Sequence, residues 1–374
     1  MIARARPSSR LAILLPDLRP GGAERLHLAL ASEWLRRGIA VDFVLRQARG
    51  ELLEALPSGV RVIDLQAGRV RHAFVPLQRY LRASQAGALL AAMWPLTTIA
   101  PMAARSAGYR GRVVISEHAP QSLSYADRGA LHNTVMKATM RVGYRLADAR
   151  VGVSSGVADD MAKLSGMDRA RFKVIHNPAA TGQVVETGYA IPAALAGRTG
   201  PILLAVGTLK AVKRHDLLVR AFARMPRADA TLCILGEGQE RAGLETLIGS
   251  LGLQDRVLLA GYQADPAPWY AHADLFVLSS DHEGFGNVLV EALEHGLPVV
   301  STNCPTGPHE ILEDGKYGRL VPVGDVDALA RAMDKALSAN HDREQLKRRA
   351  LDFSVEKAAD AYLDLLLPDW RGHR

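Results

Sequence analysis

Short apolar runs alternate with amphipathic stretches along almost the whole chain, and this alternation constrains the fold more than any other feature of the sequence. Helical patterns separate several of the predicted strands, and the clearest of them covers Ala23–Arg37. Strands that alternate with helices indicate a parallel sheet covered on both faces. The first series of predicted strands comprises Leu11–Leu15, Val41–Leu45, Val60–Leu65, Ala88–Trp94, Val113–Ser116, Val151–Ser154 and Lys173–Ile175.

The alternation stops at residues 179–200, where glycines and a proline interrupt the periodicity, and then begins again. A chain of 374 residues is long enough for two domains. The sequence therefore predicts an α/β protein with two Rossmann-like, doubly wound domains over 1–185 and 186–353, followed by a helical segment over 354–374. The second series of strands comprises Ile202–Val206, Thr231–Leu235, Val257–Leu259, Leu275–Leu278, Val299–Ser301 and Leu320–Val323.

The composition is that of an ordinary globular protein, with 48% hydrophobic and 23% charged residues. These fractions exclude a disordered chain, a collagen-like repeat and a small disulfide scaffold. Cys233 and Cys304 lie in apolar stretches without the spacing of metal ligands. We therefore expect two structural thiols in a reducing compartment.

The positive charge is concentrated in the first half of the chain. Residues 1–190 carry 26 Lys and Arg against 14 Asp and Glu, or +12, whereas residues 191–374 carry 20 against 25, or −5, which gives the total of +7. A basic half predicts an anionic partner, such as lipid headgroups, a diphosphate-linked carrier or nucleic acid.

Two stretches bear on membranes and targeting. The basic start of the chain leads into an apolar run, Leu11–Leu15, that is too short for a secretory signal, so we expect a cytoplasmic protein. The uncharged run between Arg82 and Arg105 is long enough to span a bilayer, but its Pro95 and Pro101 favour a buried strand followed by a short helix.

The strongest chemical motif follows the predicted strand at 275–278 and reads Ser-Ser-Asp-His-Glu-Gly-Phe-Gly-Asn over residues 279–287. A helix is predicted directly after it, over 286–295. Gly284 and Gly286 allow a tight loop, and the N–H groups of Phe285 and Asn287 at the start of the helix are suited to hold a diphosphate. Ligands of open parallel sheets bind beyond the carboxyl ends of the strands, where this loop would lie.

Two glutamates frame this motif. Glu283 lies in the loop, and Glu291 lies about one turn into the predicted helix. An earlier pair of glycines, Gly21 and Gly22, also follows a predicted strand and opens a helix. A plain tight turn and a phosphate contact are both open for this pair, because it lacks the third glycine of a dinucleotide fingerprint.

The Glu-Gly-Phe-Gly sequence and the spacing of the two glutamates resemble the retaining glycosyltransferases of family 4. The resemblance implies the GT-B fold, with the nucleotide sugar on the C-terminal domain, the acceptor on the N-terminal domain and the active site in the cleft between them. It also implies that the final helix, in 354–374, crosses back onto the N-terminal domain. Further matches occur in order at 21–22, Glu117-His118, Asn177-Pro178, 206–213, Leu235-Gly236-Glu237-Gly238 and Gly307-Pro308-His309-Glu310-Ile311-Leu312.

The resemblance assigns a role to each matching residue. Glu283 would contact the hydroxyls of the transferred sugar or lie beside the reacting carbon, and Glu291 would bind the ribose. Lys213 would neutralise the donor diphosphate as it leaves. His118, after the predicted strand Val113–Ser116, would hydrogen-bond the sugar or move a proton. A histidine that only caps a local turn is the structural alternative.

The chain departs from the family pattern at one position. The arginine that commonly stands one residue after a glycine of the 206–213 segment is here Thr208. Lys210 is the candidate to supply the missing charge. Asp325 and Asp327 have the Asp-x-Asp spacing of a metal motif, but we expect no metal site there, because Asp325 is predicted to be a helix N-cap and Asp327 favours the positive end of the helix.

These residues predict a metal-independent glycosyltransferase that needs no cofactor besides its co-substrate, a nucleotide-diphosphate sugar. The 303–310 segment resembles the version found in transferases of bacterial surface glycans, which mostly use UDP-hexoses or UDP-N-acetylhexosamines. The expected acceptor is a glycan or a polyprenyl-diphosphate-linked glycan, used in cell-surface polysaccharide or glycoprotein glycan synthesis. The basic half predicts peripheral attachment to the inner face of the cytoplasmic membrane.

Three alternatives remain open from the sequence. One is a mannosyltransferase that uses GDP-mannose, and another is a nucleotide-sugar 2-epimerase, which shares the GT-B architecture. A nucleic-acid-binding protein would use the basic half, but aromatic residues make up only 5% of the chain and no stacking or helix-turn-helix motif is present. We therefore expect no nucleic-acid partner.

Overall fold

In a computed structural model, which describes residues 10–182 and 188–373, the chain forms two compact units, each built on one parallel sheet. One unit holds the residues up to Pro178 together with those from Val355 onward, and the other holds Ala179–Ser354. Each strand of either sheet pairs in parallel with its neighbours. The α/β class and the two Rossmann-like domains are therefore as the sequence predicts.

The first sheet has seven strands in the order β3-β2-β1-β4-β5-β6-β7. Its core consists of the apolar side chains of the central strands, such as Ile13 and Phe43, against helices that cover the faces. The strands are β1 (Arg10–Leu15), β2 (Ala40–Leu45), β3 (Arg61–Asp64), β4 (Ala88–Ala92), β5 (Arg112–Glu117), β6 (Ala149–Gly152) and β7 (Lys173–Val174). The helices are α1 (Gly22–Arg36), α2 (Phe74–Ala83), α3 (Leu96–Ala107), α4 (Gln121–Ser124), α5 (Ala130–Leu146) and α6 (Ser155–Ser165).

The second sheet has six strands in the order β10-β9-β8-β11-β12-β13. Its strands are β8 (Ile202–Val206), β9 (Thr231–Leu235), β10 (Val257–Gly261), β11 (Leu275–Leu278), β12 (Val299–Thr302) and β13 (Arg319–Val321). The helices are α7 (His215–Ala223), α8 (Arg241–Ser250), α9 (Ala267–Ala271), α10 (Asn287–Glu294), α11 (Pro308–Ile311), α12 (Val326–Leu337) and α13 (Arg343–Ala350).

Helix α14 (Val355–Leu366) packs against helix α1 of the first unit. Its apolar face, which includes Tyr362 and Leu363, is buried in the core of that unit. The indole Nε1 of Trp34 on α1 donates a hydrogen bond to the carbonyl of Ala359 (3.3 Å). The final helical segment is thus part of the core around the first sheet.

Several predicted strands end elsewhere than the sequence indicates, and two of them show a local reason. The strand predicted over Val151–Ser154 lies at Ala149–Gly152, because Ser154 leaves the sheet to cap helix α6, where its hydroxyl accepts from the N–H of Val157 (3.3 Å). The strand predicted to reach Trp94 ends at Ala92, where Met93 takes a positive φ of 67°.

The uncharged run between Arg82 and Arg105 forms strand β4 and most of helix α3, with Pro101 inside the helix. Among the described residues, no helix is both long and apolar enough to cross a membrane.

Candidate active site

The candidate site on the second unit lies where the order of its strands reverses. Strands β8 and β11 are neighbours in the sheet, although two strands separate them along the chain. The loops that follow neighbouring strands on either side of such a reversal diverge and leave a crevice at the carboxyl edge. The loop after β8 carries Thr208, Lys210 and Lys213, and the loop after β11 carries Glu283 through Gly286.

An ion pair joins these two loops. The ammonium group of Lys213 lies 2.6 Å from Oε1 of Glu283, and both side chains are only partly exposed. The hydroxyl of Ser280 donates to the same carboxylate oxygen (2.6 Å), and Ser279 donates to the carbonyl of Lys213 (2.8 Å). The two predicted catalytic residues of this unit are therefore in direct contact. Ser279 and Ser280, at the end of strand β11, hold both of them in place.

The segment before helix α11 supports the loop that carries Glu283. The hydroxyl of Thr306 donates to the carbonyl of Glu283. Gly307 has a φ of +89°, and a Cβ built there would lie 1.8 Å from the carbonyl oxygen of Phe285. The matching Gly-Pro-His-Glu segment thus acts on the site through the backbone, because only a glycine lets the two loops approach so closely.

Helix α10 begins directly after this loop, with Gly286 as its N-cap at a φ of +100°. The first N–H groups of such a helix and its dipole favour an anion at this end. The ring of Phe285 is buried against Phe353 (centroids 5.4 Å apart), so this residue can serve a ligand only through its backbone. Gly284 and Asn287 complete the predicted cradle on either side of it.

Glu291, halfway along helix α10, is held by an aromatic residue that the motif did not indicate. The hydroxyl of Tyr270 donates to Oε2 of Glu291 (2.8 Å), and the ring of Tyr270 stacks on His295 (5.1 Å). Burial, and then the charge of Glu291, raises the pKa of the Tyr270 hydroxyl well above its usual value, so it remains a donor. The carboxylate is therefore oriented before any ligand binds.

The loop after β8 is held by a second glycine-rich segment. Gly236 and Gly238 face the backbone of residues 207–209 so closely that a Cβ on either would lie 2.0–2.3 Å from a carbonyl oxygen. The N–H of Leu209 also donates to the carbonyl of Glu237 (2.9 Å). The Leu-Gly-Glu-Gly segment at 235–238 therefore has a structural role, which is to hold the backbone of the loop after β8.

Thr208 and Lys210 are both exposed, and Lys210 lines a shallow hollow with Asp216 and Glu240. The neighbouring His215 is buried, and this burial, followed by the charge of Lys213, lowers its pKa to about 4. His215 is thus neutral at pH 7, so Lys213 carries the positive charge closest to Glu283.

On the first unit, the paired glycines open helix α1. Gly21 is the N-cap and Gly22 the first helical residue. The carboxylate of Glu24 lies over this turn, where a Cβ on Gly21 would come within 2.2 Å of its Oε2. Burial raises the pKa of Glu24 above its usual value. The carboxylate of Glu24 therefore lies at the N-terminus of its own helix. This favours a plain tight turn at Gly21 and Gly22 over a phosphate contact.

His118 follows strand β5 and is half-buried. Its Nε2 lies 3.2 Å from the hydroxyl of Ser116, which in turn lies 2.9 Å from the hydroxyl of Tyr362 on helix α14. Its ring also meets that of His27 on helix α1 (5.2 Å). Burial, and then the proximity of His27, lowers the pKa of His118 well below its usual value. The imidazole is therefore neutral, and its partner Ser116 is bonded in turn to the C-terminal helix.

Glu117, next to His118, is fully buried among four hydrogen-bond donors. Its carboxylate accepts from the N–H of Trp94 (3.1 Å), the amide of Gln121 (2.9 Å) and the hydroxyls of Thr97 (2.5 Å) and Tyr144 (2.7 Å). Burial raises the pKa of Glu117 to about 7, against these hydrogen bonds. The sequence match included Glu117 but gave it no role, and the structure makes it the anchor of the loops after β4 and β5.

Asp325 caps helix α12 as the sequence predicts, since its Oδ1 accepts from the N–H of Ala328 (2.8 Å). Within residues 10–182 and 188–373, no group of three or more His, Cys, Asp or Glu side chains is arranged to hold a metal ion.

Cys233 and Cys304 are both buried free thiols, and burial raises the pKa of each to about 12.

Two doubly wound parallel-sheet domains, each with its candidate loops at the carboxyl edge of its sheet, have the architecture of the GT-B fold, and the comparisons identify the class as the glycosyltransferases. Residues 20–183 match the model described as Glycosyltransferase Family 4, and residues 192–353 match that described as Glycosyl transferases group 1. The chain is 31% identical over 362 residues to the lipopolysaccharide core biosynthesis glycosyltransferase LpsE of Rhizobium meliloti, covering 93% of this chain and 96% of the relative. The chain therefore belongs to glycosyltransferase family 4.

Two further similarities are informative. The chain is 30% identical over 269 residues to the N-acetylgalactosamine-N,N'-diacetylbacillosaminyl-diphospho-undecaprenol 4-alpha-N-acetylgalactosaminyltransferase of Campylobacter jejuni, covering 70% of this chain and 72% of the relative. The crystal structure of Anabaena Alr3699/HepE in complex with UDP-glucose superposes with a TM-score of 0.72 at 21% identity, over 96% of this chain and 95% of that one. The second similarity supports the fold alone.

Proposed function

We propose that this protein transfers a hexose or N-acetylhexosamine, with retention of the anomeric configuration, from a UDP-sugar to a glycan or polyprenyl-diphosphate-linked acceptor. The Lys213–Glu283 ion pair at the end of two neighbouring strands carries the proposal. It combines a cation for a leaving diphosphate with a carboxylate for a sugar, beside a helix N-terminus that favours an anion.

In the proposed reaction the bond between the anomeric carbon and the diphosphate oxygen breaks, and the acceptor oxygen bonds to the same face of that carbon. The leaving diphosphate gains negative charge, which Lys213 and the first turn of helix α10 stabilise. Glu283 lies beside the sugar, whose ring becomes positively charged in an oxocarbenium-like state. The proton of the acceptor hydroxyl passes to the leaving oxygen in a front-face reaction, or to a base after a glycosyl–Glu283 intermediate.

The other site residues have binding roles in this proposal. Glu291, oriented by Tyr270, accepts hydrogen bonds from the ribose hydroxyls. The backbone of Gly284 through Asn287 faces the diphosphate. His118, neutral because of its burial, hydrogen-bonds the donor sugar and is a positioning group rather than a cation.

The names of the relatives support the choice of acceptor. One relative acts in lipopolysaccharide core biosynthesis and another adds a sugar to a diphospho-undecaprenol-linked acceptor. The preference for UDP comes from the 303–310 segment, which resembles the version found in transferases that mostly use UDP-sugars. We propose that the protein works in the cytoplasm at the inner face of the membrane and requires no metal ion.

A thermal-shift screen with UDP-glucose, UDP-galactose, UDP-N-acetylglucosamine and GDP-mannose tests the donor, because a ligand of the folded state raises the melting temperature. We expect stabilisation by UDP-sugars in the wild type and a much smaller effect in Lys213→Ala. Stabilisation by GDP-mannose alone would establish the mannosyltransferase instead. Release of a rearranged sugar without an acceptor would indicate the 2-epimerase.

Two measurements test the rest of the proposal. The anomeric proton coupling in the product, read by NMR, reports retention or inversion directly. Transfer in excess chelator should equal transfer without it. Strict dependence on Mn²⁺ would contradict a metal-independent reaction, and an inverted product would contradict retention.

A further inference from the structure

Helix α5 of the first unit exposes apolar side chains where a helix of a globular protein usually exposes polar ones. Its inner face, with Met136, Met140 and Tyr144, is buried towards the neighbouring helices α3 and α6. On the outside, Leu131 is 80% exposed, Val135 51%, Val142 49% and Leu146 42%. These four are a third of the twelve large hydrophobic residues exposed in the described part of the chain.

These side chains share one face of the helix. Together with Ala138, they occupy positions i, i+4, i+7, i+11 and i+15, a spacing that aligns side chains along a single stripe. We call Leu131, Val135, Ala138, Val142 and Leu146 the outer stripe. A row of cations, Lys137, Arg141 and Arg145, runs beside it at intervals of one turn. The seventeen residues of helix α5 include no Asp or Glu.

The charges of this row face solvent. All three residues are exposed, and the ion pairs found in the described ranges involve none of them. Arg145 donates to the carbonyls of Ser165 (3.3 Å) and Gly166 (3.3 Å) at the end of helix α6, so it also has a structural role. Long cationic side chains beside an apolar stripe can extend to a headgroup layer while the stripe meets the acyl chains.

An aromatic cluster lies at the first turn of the same helix. The ring of His132 contacts those of Trp94 (5.5 Å) and Tyr125 (5.2 Å), and the last two contact each other (5.1 Å). Trp94 follows strand β4 and Tyr125 follows helix α4, so the cluster lies at the carboxyl edge of the first sheet. Tryptophan and tyrosine are enriched where a protein meets the boundary between lipid and water.

We propose that helix α5 is a membrane-docking helix that lies flat on an anionic lipid bilayer, with the outer stripe in the interface and Lys137 and Arg141 on lipid phosphates. Charge complementarity selects an anionic surface, because the face combines exposed apolar area with cations and no acid. The docked helix would present the carboxyl edge of the first sheet, with Glu117 and His118, next to the membrane surface. The proposal extends the lipid-linked acceptor proposed above, but vesicle binding can be measured without any transfer reaction.

The test is co-sedimentation of the full chain with vesicles of phosphatidylglycerol and phosphatidylethanolamine, compared with vesicles of phosphatidylcholine alone. We expect binding to the anionic vesicles, roughly tenfold weaker or undetectable binding to phosphatidylcholine, and loss of binding at high salt. Val135→Glu/Val142→Glu tests the outer stripe, and Lys137→Glu/Arg141→Glu tests the row of cations. Arg145 is left intact because it caps helix α6.

Each double variant should reduce binding to anionic vesicles by about tenfold or more. Val323→Glu/Leu351→Glu and Arg331→Glu/Lys335→Glu, at exposed positions on the second unit, are the matched controls and should bind as the wild type does. All variants should keep the wild-type melting temperature and its shift with UDP. A missing UDP shift in every protein would count against the proposed function alone.

Three results would overturn the proposal. The wild type would fail to bind anionic vesicles, or the outer-stripe variant would bind them as tightly as the wild type, which would indicate adsorption by charge alone. The third result would be a wild-type protein that does not bind vesicles but forms a dimer in sedimentation velocity, and a Val135→Glu/Val142→Glu variant that is monomeric. The outer stripe would then be an interface between two copies of the chain.

Discussion

The ammonium group of Lys213 lies 2.6 Å from Oε1 of Glu283, although 70 residues separate them in the sequence. The contact joins the loops after β8 and β11, where the order of the second sheet reverses. A diphosphate that binds Lys213 must compete with this carboxylate. The ion pair therefore holds the ammonium group of Lys213 in a defined position. When the donor binds, its diphosphate competes with the Glu283 carboxylate for this group.

This competition makes a specific prediction for Glu283→Gln. The amide keeps the size of the side chain but removes the charge that faces the sugar and holds Lys213. We expect transfer to fall by at least about 100-fold, because electrostatic groups at a reacting centre contribute on this scale. The affinity for UDP should stay the same or increase, since Lys213 loses its competitor.

Steady-state kinetics and calorimetric titration with UDP measure the two effects separately. Glu344→Gln is a suitable control, because Glu344 on the same unit pairs with Lys347 (2.8 Å) in an exposed position. Its transfer rate and UDP affinity should equal those of the wild type. Full activity in Glu283→Gln, or in Glu283→Ala with an intact fold, would contradict the assignment of the site.

The two lysines of the loop after β8 should differ in their importance for the donor. Lys213→Ala removes a charge-assisted contact to the diphosphate, and we expect UDP to bind about tenfold or more weakly. If Lys210 replaces the arginine that is missing at Thr208, Lys210→Ala should weaken UDP binding by about threefold or more. Arg220→Ala, on the exposed side of helix α7, is the control for a change of net charge.

Calorimetric titration of all three variants with UDP decides between the roles. If Lys210→Ala and Arg220→Ala bind UDP with equal affinity, Lys210 does not replace the missing arginine. The role of Lys213 in binding the diphosphate would not be affected by this result.

Gly307 should matter for activity through its closeness to the loop that carries Glu283. A Cβ at this position would collide with the carbonyl of Phe285 at 1.8 Å, so Gly307→Ala must displace one backbone or the other. We expect a loss of stability of about 2 kcal/mol or more, together with a fall in transfer of at least about tenfold at temperatures where the variant is folded.

Gly324→Ala separates the collision from the cost of the backbone conformation. Gly324 also has a positive φ, +81°, but a Cβ there would have no atom within 4 Å. It should lose about 1 kcal/mol in chemical denaturation and keep full activity. Equal activity in the two variants would show that the loop contact does not position Glu283.

The sequence predicts the strands because each is a short apolar run between helices or turns. Three of them, Ile202–Val206, Thr231–Leu235 and Leu275–Leu278, have the same limits in the structure. Two errors occur where a residue at a strand end has a local role. Ser154 caps the next helix, and Met93 turns the chain out of the sheet, and neither effect is visible in an apolar pattern.

The candidate site was predictable where its residues are close in sequence. The loop from Glu283 to Asn287 follows one strand and opens one helix, so its geometry follows from local rules. The partners of the site come from elsewhere in the chain. The family match includes Gly307 but not what it contacts, and no motif indicates Tyr270, because both reach the site only through the tertiary fold.

The buried carboxyl group of Glu117 predicts an unusual pH dependence of stability. Its pKa is raised to about 7 in the folded protein by burial, against about 4.5 for an unburied glutamate. Between these two values the folded state binds more protons than the unfolded state, so stability falls as the pH rises, and the loss is complete above about pH 7. The expected contribution is on the order of 2–3 kcal/mol.

Glu117→Gln removes this contribution, because the amide does not ionise. The stability of the variant relative to the wild type should therefore increase from pH 5 to pH 8, even if the variant is the less stable of the two at pH 5. Denaturation followed by tryptophan fluorescence measures the effect, since Trp34, Trp94 and Trp370 lie in the first unit and only Trp269 lies in the second. Glu356→Gln, exposed on helix α14, is the matched control, and its difference from the wild type should not change with pH. A constant difference for Glu117→Gln as well would show that Glu117 is ionised throughout this range and that its four donors outweigh its burial.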